Sequence, residues 1–226
     1  MKIGLIVAIE GELLAMLDSN SFKYEETIEN CFKVIKTIIN SNEVYIVKSG
    51  CGEIDASSAT QFLITKYSVD LILNFGIVGA LKRDLKVSDL FLVKKVVHYD
   101  YDTSKIDGTK VAQYLEFNDV YMETKGELYK KIYGIMPSIK NVICASGDKF
   151  IEDKVVKERL ANLYDASICD MESAAIVRIC FKNNIEAIII KCISDTFDGD
   201  AKEYMTNIKN SSKKAFSLIQ TFLESL

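Results

Sequence analysis

"EAIIIKCISD", residues 186–195, decides how this chain folds. From Ala187 to Ile193 it is apolar and rich in isoleucine, interrupted only by Lys191. A strand with one wet face alternates apolar and polar residues. An unbroken run has both faces covered, as in a sheet flanked by helices. The run ends in Ser194 and Asp195, with the polar loop "TFDGD" (196–200) directly behind. A carboxylate at the mouth of a buried strand is costly unless it has a partner or a chemical task.

Runs of the same kind recur: "KIGLIVAI" (2–9), "EVYIVKSG" (43–50), "VDLILNFG" (69–76), "LFLVKKVVHY" (90–99), "NVICASG" (141–147) and "ASICDM" (166–171). Helical patterns fall between several of them. "DASSATQFLITKY" (55–67) opens on a candidate N-cap, Asp55, and spaces its apolar groups for a helix. "EDKVVKERLANLY" (152–164), "MESAAIVRICFKNN" (171–184) and the closing "EYMTNIKNSSKKAFSLIQTFLESL" behave likewise. Strands alternating with helices imply an α/β fold around a mostly parallel sheet. Residues 101–125 are irregular, polar and tyrosine-bearing, which suits a lid or a subunit contact.

With 226 residues, 49% of them hydrophobic, one core and a single domain over 1–226 are expected. A net charge of −4, with 27% charged residues, carries no basic footprint for nucleic acid. No apolar run reaches the roughly 18–20 residues that cross a bilayer, so no membrane partner is expected. "MKIGLIVAIEGE" lacks a small-residue cleavage site and reads as a first strand rather than a signal peptide. Cys31, Cys51, Cys144, Cys169, Cys180 and Cys192 form no C-x-x-C pair and lie mostly in apolar runs, as reduced thiols of a cytoplasmic protein do. The single histidine, His98, has no second histidine at ligand spacing, so no metal is expected.

In sheets of this class ligands gather at the carboxyl ends of the strands. Those exits here carry Glu10 and Glu12, "KSGCGE", "NFGIVGA", "SGDKF", "CDMES" and "ISD". Acids converging on one edge suit a neutral, hydroxyl-rich ligand that develops positive charge. "SGCGEID" lacks the third glycine of a dinucleotide fingerprint, leaving close backbone packing or amides lining a small-ligand pocket. Asp170 and Glu172 could cap the following helix, or one could accept two hydrogen bonds from a cis-diol such as ribose presents. Phe150 could be a core aromatic or could stack on a purine. Asp195 and Glu12 could be surface charges. They could equally be the acid and base of N-glycoside cleavage, one protonating the departing base and the other activating water across an oxocarbenium-like sugar.

In order along the chain, "MKIGLIVAIEGE", "KSGCGEIDAS", "NFGIVGAL", "LKVSDLFLV", "HYDYD", "SGDKFI", "CDMESAA" and "ISD" resemble the 5′-methylthioadenosine/S-adenosylhomocysteine nucleosidases of the purine nucleoside phosphorylase-like superfamily. The likeness spans nearly the whole chain and is weak between about 103 and 140. It implies a three-layer α/β/α sandwich with a mixed, mostly parallel sheet, and hydrolysis of adenine from a 5′-substituted adenosine without metal or organic cofactor. By this resemblance Glu12 activates water, and Asp195, oriented by Ser194, protonates adenine N7. Glu172 grips the ribose hydroxyls and Met171 lies under the sugar. Phe150 stacks on the purine and the Ile151 backbone meets its edge, while Cys51 sits near the 5′ substituent. A homodimer is implied, with residues 101–115 lent to the partner's pocket.

Departures from the family pattern fall at Ile77, where a small hydroxyl residue is usual, at Lys191 for arginine and at Asp170 for glutamate. They bear on the 5′ group and the preferred base. Phosphorolysis on the same fold would need arginine forks for phosphate. Of the three arginines, Arg83, Arg159 and Arg178, the last two lie in helical patterns away from strand exits. A nucleoside-binding sensor without turnover is the rival of another class.

Overall fold

A computed structural model describes residues 1–19 and 22–226. In chain order the elements are β1 (Lys2–Val7), α1 (Glu10–Ser19), β2 (Tyr24–Glu29), β3 (Phe32–Ile39), β4 (Asn42–Lys48), α2 (Glu53–Tyr67), β5 (Leu71–Ala80), β6 (Leu90–His98) and α3 (Ser104–Asp107). There follow β7 (Tyr121–Glu123), α4 (Glu127–Ile135), β8 (Lys140–Ser146), α5 (Lys154–Tyr164), β9 (Ile168–Asp170), α6 (Ser173–Asn183), β10 (Glu186–Asp195) and α7 (Ala201–Ser225).

The unbroken runs become strands covered on both faces, because their alternate residues enter different cores. On β10, Ala187, Ile189 and Ile193 join Ala56, Ala59 and Leu63 of α2 and Ala174, Ile176 and Val177 of α6. Ile188, Ile190 and Cys192 point the other way, into Leu13 and Met16 of α1 and Phe216, Ile219 and Phe222 of α7. A third cluster packs Leu160 and Tyr164 of α5 against Ile143 and Ala145 of β8. Helices therefore cover a mixed sheet on both sides, the three-layer sandwich that the resemblance implies.

The sheet order is β10-β6-β8-β9-β5-β1-β4-β3-β2, with β7 on β6 and a further pairing of β10 with β5. That pairing closes β5, β10, β6, β8 and β9 into a ring, a feature not foreseen from the strand pattern. Pairings β1–β4, β1–β5, β10–β5, β6–β8 and β8–β9 are parallel. Antiparallel pairing enters at the β2–β3–β4 meander, at β5–β9, at β6–β7 and at β10–β6.

Local starts differ from the sequence reading in three places. Glu10 and Glu12 lie in the first turn of α1 rather than at a bare strand end, where acids favour the positive end of the helix. Gly52, not Asp55, is the N-cap of α2, and Asp55 sits inside the first turn. β2 and β3 form a hairpin where no strand was expected, since β2 (YEETIE) is exposed along almost its whole length and carries no apolar stripe.

Candidate active site

The carboxyl ends of β1, β5, β8, β9 and β10 open onto one cleft of about 550 Å³ including its mouth. Glu12, Cys51, Ile77, Phe150, Ile151, Met171, Glu172 and Asp195 all line it. Ser194 lies beneath, fully buried.

Glu12 is fixed by the backbone. The N–H groups of Ala8 (2.8 Å) and Ile9 (3.2 Å) donate to its Oε2, and the N–H of Ile77 donates to its Oε1 at 3.0 Å. Burial pushes its pKa up, while the Lys191 charge and those three donors favour the carboxylate. Ile77 thus meets Glu12 through its backbone and the cleft through its side chain, so the family's hydroxyl has no counterpart at this position.

Asp195 is aimed by an irregularity. The register of β10 on β5 shifts between Ile193 and Asp195, leaving Ser194 over. Such a bulge bends a strand and redirects the next side chain. Ser194 Oγ lies 2.8 Å from Asp195 Oδ1 and 3.2 Å from the Val78 carbonyl. Burial raises the Asp195 pKa, opposed by the Ser194 hydroxyl and the Lys157 charge.

Along β5, Gly76 makes room for Glu12 and Gly79 for Asp195. A Cβ on the first would come within 2.8 Å of Glu12 Oε1, and on the second within 2.9 Å of Asp195 Oδ2.

Glu172 Oε1 accepts the Gly52 N–H at 3.0 Å. Gly52 has φ +97°, a conformation glycine adopts without strain, and this points its N–H at the carboxylate. The Gly-x-Gly turn therefore serves Glu172, and Cys51 is the turn residue that reaches the cleft. Burial and the neighbouring Asp170 charge raise Glu172 to about 7. Its side chain makes no cap on α6, whereas Asp170 accepts the Ser173 N–H at 3.2 Å and the Ser173 hydroxyl.

Lys191 and Asp170, two of the departures, are one object: a buried ion pair with Nζ–Oδ2 at 2.8 Å. Burial opposes both charges, yet the pairing wins, holding Asp170 below the usual carboxylate range and Lys191 above the usual amine range. Phe150 is half exposed at the mouth, edge-on to Tyr204 of α7 with ring centroids 5.5 Å apart. The Cys51 thiol is pushed up by burial and by Glu172, Glu12 and Asp55, so it is no activated nucleophile.

The chain matches a known family over nearly its whole length. The phosphorylase superfamily model covers residues 2–224. A 5′-methylthioadenosine/S-adenosylhomocysteine nucleosidase of Buchnera aphidicola is 33% identical over 236 residues, covering 100% of this chain and 99% of that protein. The chain belongs to this nucleosidase family. The nucleosidase of Shewanella loihica is 31% identical over 207 residues, with 89% of each chain covered. Among solved structures, the Helicobacter pylori nucleosidase in complex with butyl-thio-DADMe-Immucillin-A has a TM-score of 0.91 at 26% identity, covering 100% of this chain and 99% of that one. The H. pylori futalosine hydrolase, at 24% identity and TM-score 0.91, shares the fold.

Several lining residues of this nucleosidase were not singled out in the sequence. Tyr204 and Lys149 line the cleft, as do Ala8, Ile9, Val78, Gly79 and Cys169. Tyr204 belongs to an amphipathic helix whose pattern does not separate cleft from surface. Lys157 of α5, fully buried, was not singled out either. His98 places Nε2 between Glu53 (2.8 Å) and Asp100 (2.9 Å), with Nδ1 2.6 Å from the Tyr114 hydroxyl. Burial opposes its charge, the two carboxylates outweigh burial, and its pKa lies above the usual value, as for an imidazolium bridging two acids. Among the described residues no helix is long and apolar enough to cross a membrane.

Proposed function

We propose that this chain hydrolyses the N-glycosidic bond of 5′-substituted adenosines of the methylthioadenosine and S-adenosylhomocysteine type, releasing adenine. The carrying observation is that Glu12 and Asp195, from opposite ends of the sequence, line one cleft together with Glu172 and Phe150. In this reading Asp195, whose proton burial makes harder to lose, gives that proton to the purine as the C–N bond breaks. Glu12, its ionised form favoured by Lys191 and three N–H donors, takes a proton from the water that adds to the sugar. Glu172 accepts from the ribose hydroxyls, Met171 lies under the sugar and Phe150 stacks on the base. Ile151 offers its backbone to the base edge, and Cys51 and Ile77 face the 5′ group. Ser194 holds Asp195 in place.

The family match over residues 2–224 supports one domain spanning the chain. A homodimer and a cytoplasmic location complete the reading, the first supported by exposed Ile54, Ile106 and Leu115, the second by six free thiols. Phosphorolysis is disfavoured by the lining, where Lys149 is the one cation among the described residues. Arg83 is engaged by Asp198 and Glu158, and Arg178 by Glu116.

Adenine release across a nucleoside panel, with and without phosphate, tests the reaction. Release independent of phosphate is expected, and a strict phosphate requirement overturns hydrolysis. Asp195→Asn and Glu12→Gln should each lower kcat by about 10²–10⁴-fold. Wild-type rates in either folded variant remove its residue from the mechanism.

A further inference from the structure

Beside Asp195, and outside the residues that line the cleft, lies a cation with no solvent contact. Lys157 of α5 is fully buried. Its Nζ donates to the carbonyls of Thr196 (3.0 Å) and Phe197 (3.2 Å), the two residues that follow Asp195. The same Nζ stands 3.9 Å from Asp195 Oδ2. The two carbonyls offset part of the cost of burying this ammonium, and Asp195 is the carboxyl group within ion-pair distance of it. The loop it holds is tied down from other directions as well. Glu203 accepts from the Thr196 N–H (2.7 Å) and hydroxyl (2.9 Å), and Arg83 lies over the Phe197 ring at 4.0 Å.

We propose that Lys157 is a positioning residue for the base-protonating acid: it fixes the backbone behind Asp195 and stabilises the carboxylate left when the proton has gone to the purine. The inference rests on the hydrolytic reading above. In the step concerned, the Asp195 O–H bond breaks as an N–H bond forms on the base. The C–N electron pair leaves with the base, and the oxygen of the water deprotonated by Glu12 bonds to the sugar carbon. Asp195 ends the step as an anion in a buried place, and a cation already fixed nearby favours that state without reorganisation. Other groups act against it. Glu203 of α7 and Glu152 ahead of α5 both disfavour the anion, while the Cys169 thiol of β9 and the Tyr204 ring of α7 are its neutral neighbours. Lys157 is the cation acting on Asp195 from α5.

The test is the pH profile of kcat for Lys157→Gln, which keeps a donor for the two carbonyls but no charge. Lys157→Met serves where the glutamine variant does not fold. With the cation gone Asp195 holds its proton more tightly. The alkaline limb should then move to higher pH, and kcat at the optimum should fall roughly ten- to a hundredfold, less than the ~10²–10⁴ of losing an acid outright. KM should stay within about threefold, since the interaction develops in the transition state. On a 5′-substituted riboside with a p-nitrophenolate leaving group, which needs no protonation, the kcat deficit should shrink to near nothing. An unmoved alkaline limb, or an equal deficit on both substrates, overturns the proposal and leaves Lys157 a structural residue. The two readings fail separately. If the wild type releases no adenine, the hydrolytic reading falls; if it does and Asp195→Asn does not, an unchanged Lys157→Gln removes this inference alone.

Discussion

Asp170 and Glu172 are separated by one residue and titrate on opposite sides of ordinary carboxylate behaviour. Asp170 is held low because Lys191 and the Ser173 and Ser146 hydroxyls outweigh its burial; Glu172, with the Gly52 N–H as its donor, is raised to about 7 by burial and by Asp170 itself. For Glu172 the folded chain binds a proton more tightly than the unfolded chain, whose value is 4.5. Its contribution to stability is therefore fully present below 4.5 and is lost as pH rises through about 7. Thermal unfolding should show the wild-type midpoint falling between about pH 5 and 8 more steeply than that of Glu172→Gln, which resembles the protonated acid and does not titrate. Parallel curves would mean that Glu172 does not ionise in that window. Residues of this kind were legible in the sequence as types at strand exits. What one chain could not display was their pairing: Lys191 and Asp170 looked like two separate departures until the fold placed them 2.8 Å apart.

At the level of elements, long apolar strands announce themselves and exposed ones do not. β5 and β10 were readable because both faces are covered, whereas β2 has almost no buried residue and its hairpin with β3 escaped. α1 escaped for another reason: it starts three residues after β1, so its acids looked like the end of a strand. The bulge at Ser194 leaves no local trace, because it is defined only by the register against β5. These elements hold the site through α7, which packs on β5 and β10 and meets β5 by an aromatic contact. Phe216 meets Phe75 with centroids 5.4 Å apart, both fully buried. Truncation there removes the helix's anchor directly beneath the strand that carries Gly76 and Gly79. Phe216→Ala should cost about 3–5 kcal/mol in urea unfolding. A loss under about 1 kcal/mol would show that the two helical layers close up without it.

Over the whole molecule, the segment after β6 is fastened away from the chain's own cleft. His98 joins it to Glu53 of α2, Tyr101 and Tyr114 stack at 4.0 Å, and Arg178 of α6 lies 4.2 Å over Tyr114. None of residues 101–125 lines the cleft, yet Ile106 and Leu115 stand 88% and 69% exposed, with Ile54 of α2 at 81%. Large apolar side chains held rigidly in water are favourable to bury against a second surface. The proposed homodimer gives them one, and it would bring this segment to the mouth of a neighbouring cleft, where Phe150 and Cys51 are also exposed. The double variant Ile106→Asp/Leu115→Asp leaves the core untouched, so it should fold with wild-type circular dichroism yet sediment as a monomer. Its KM for methylthioadenosine should rise while the intact dimer's stays low, because the 5′ group would lose its cover. A wild-type chain that sediments as a monomer at assay concentration, or a double variant that remains dimeric with unchanged KM, would assign those isoleucine and leucine side chains no part in assembly.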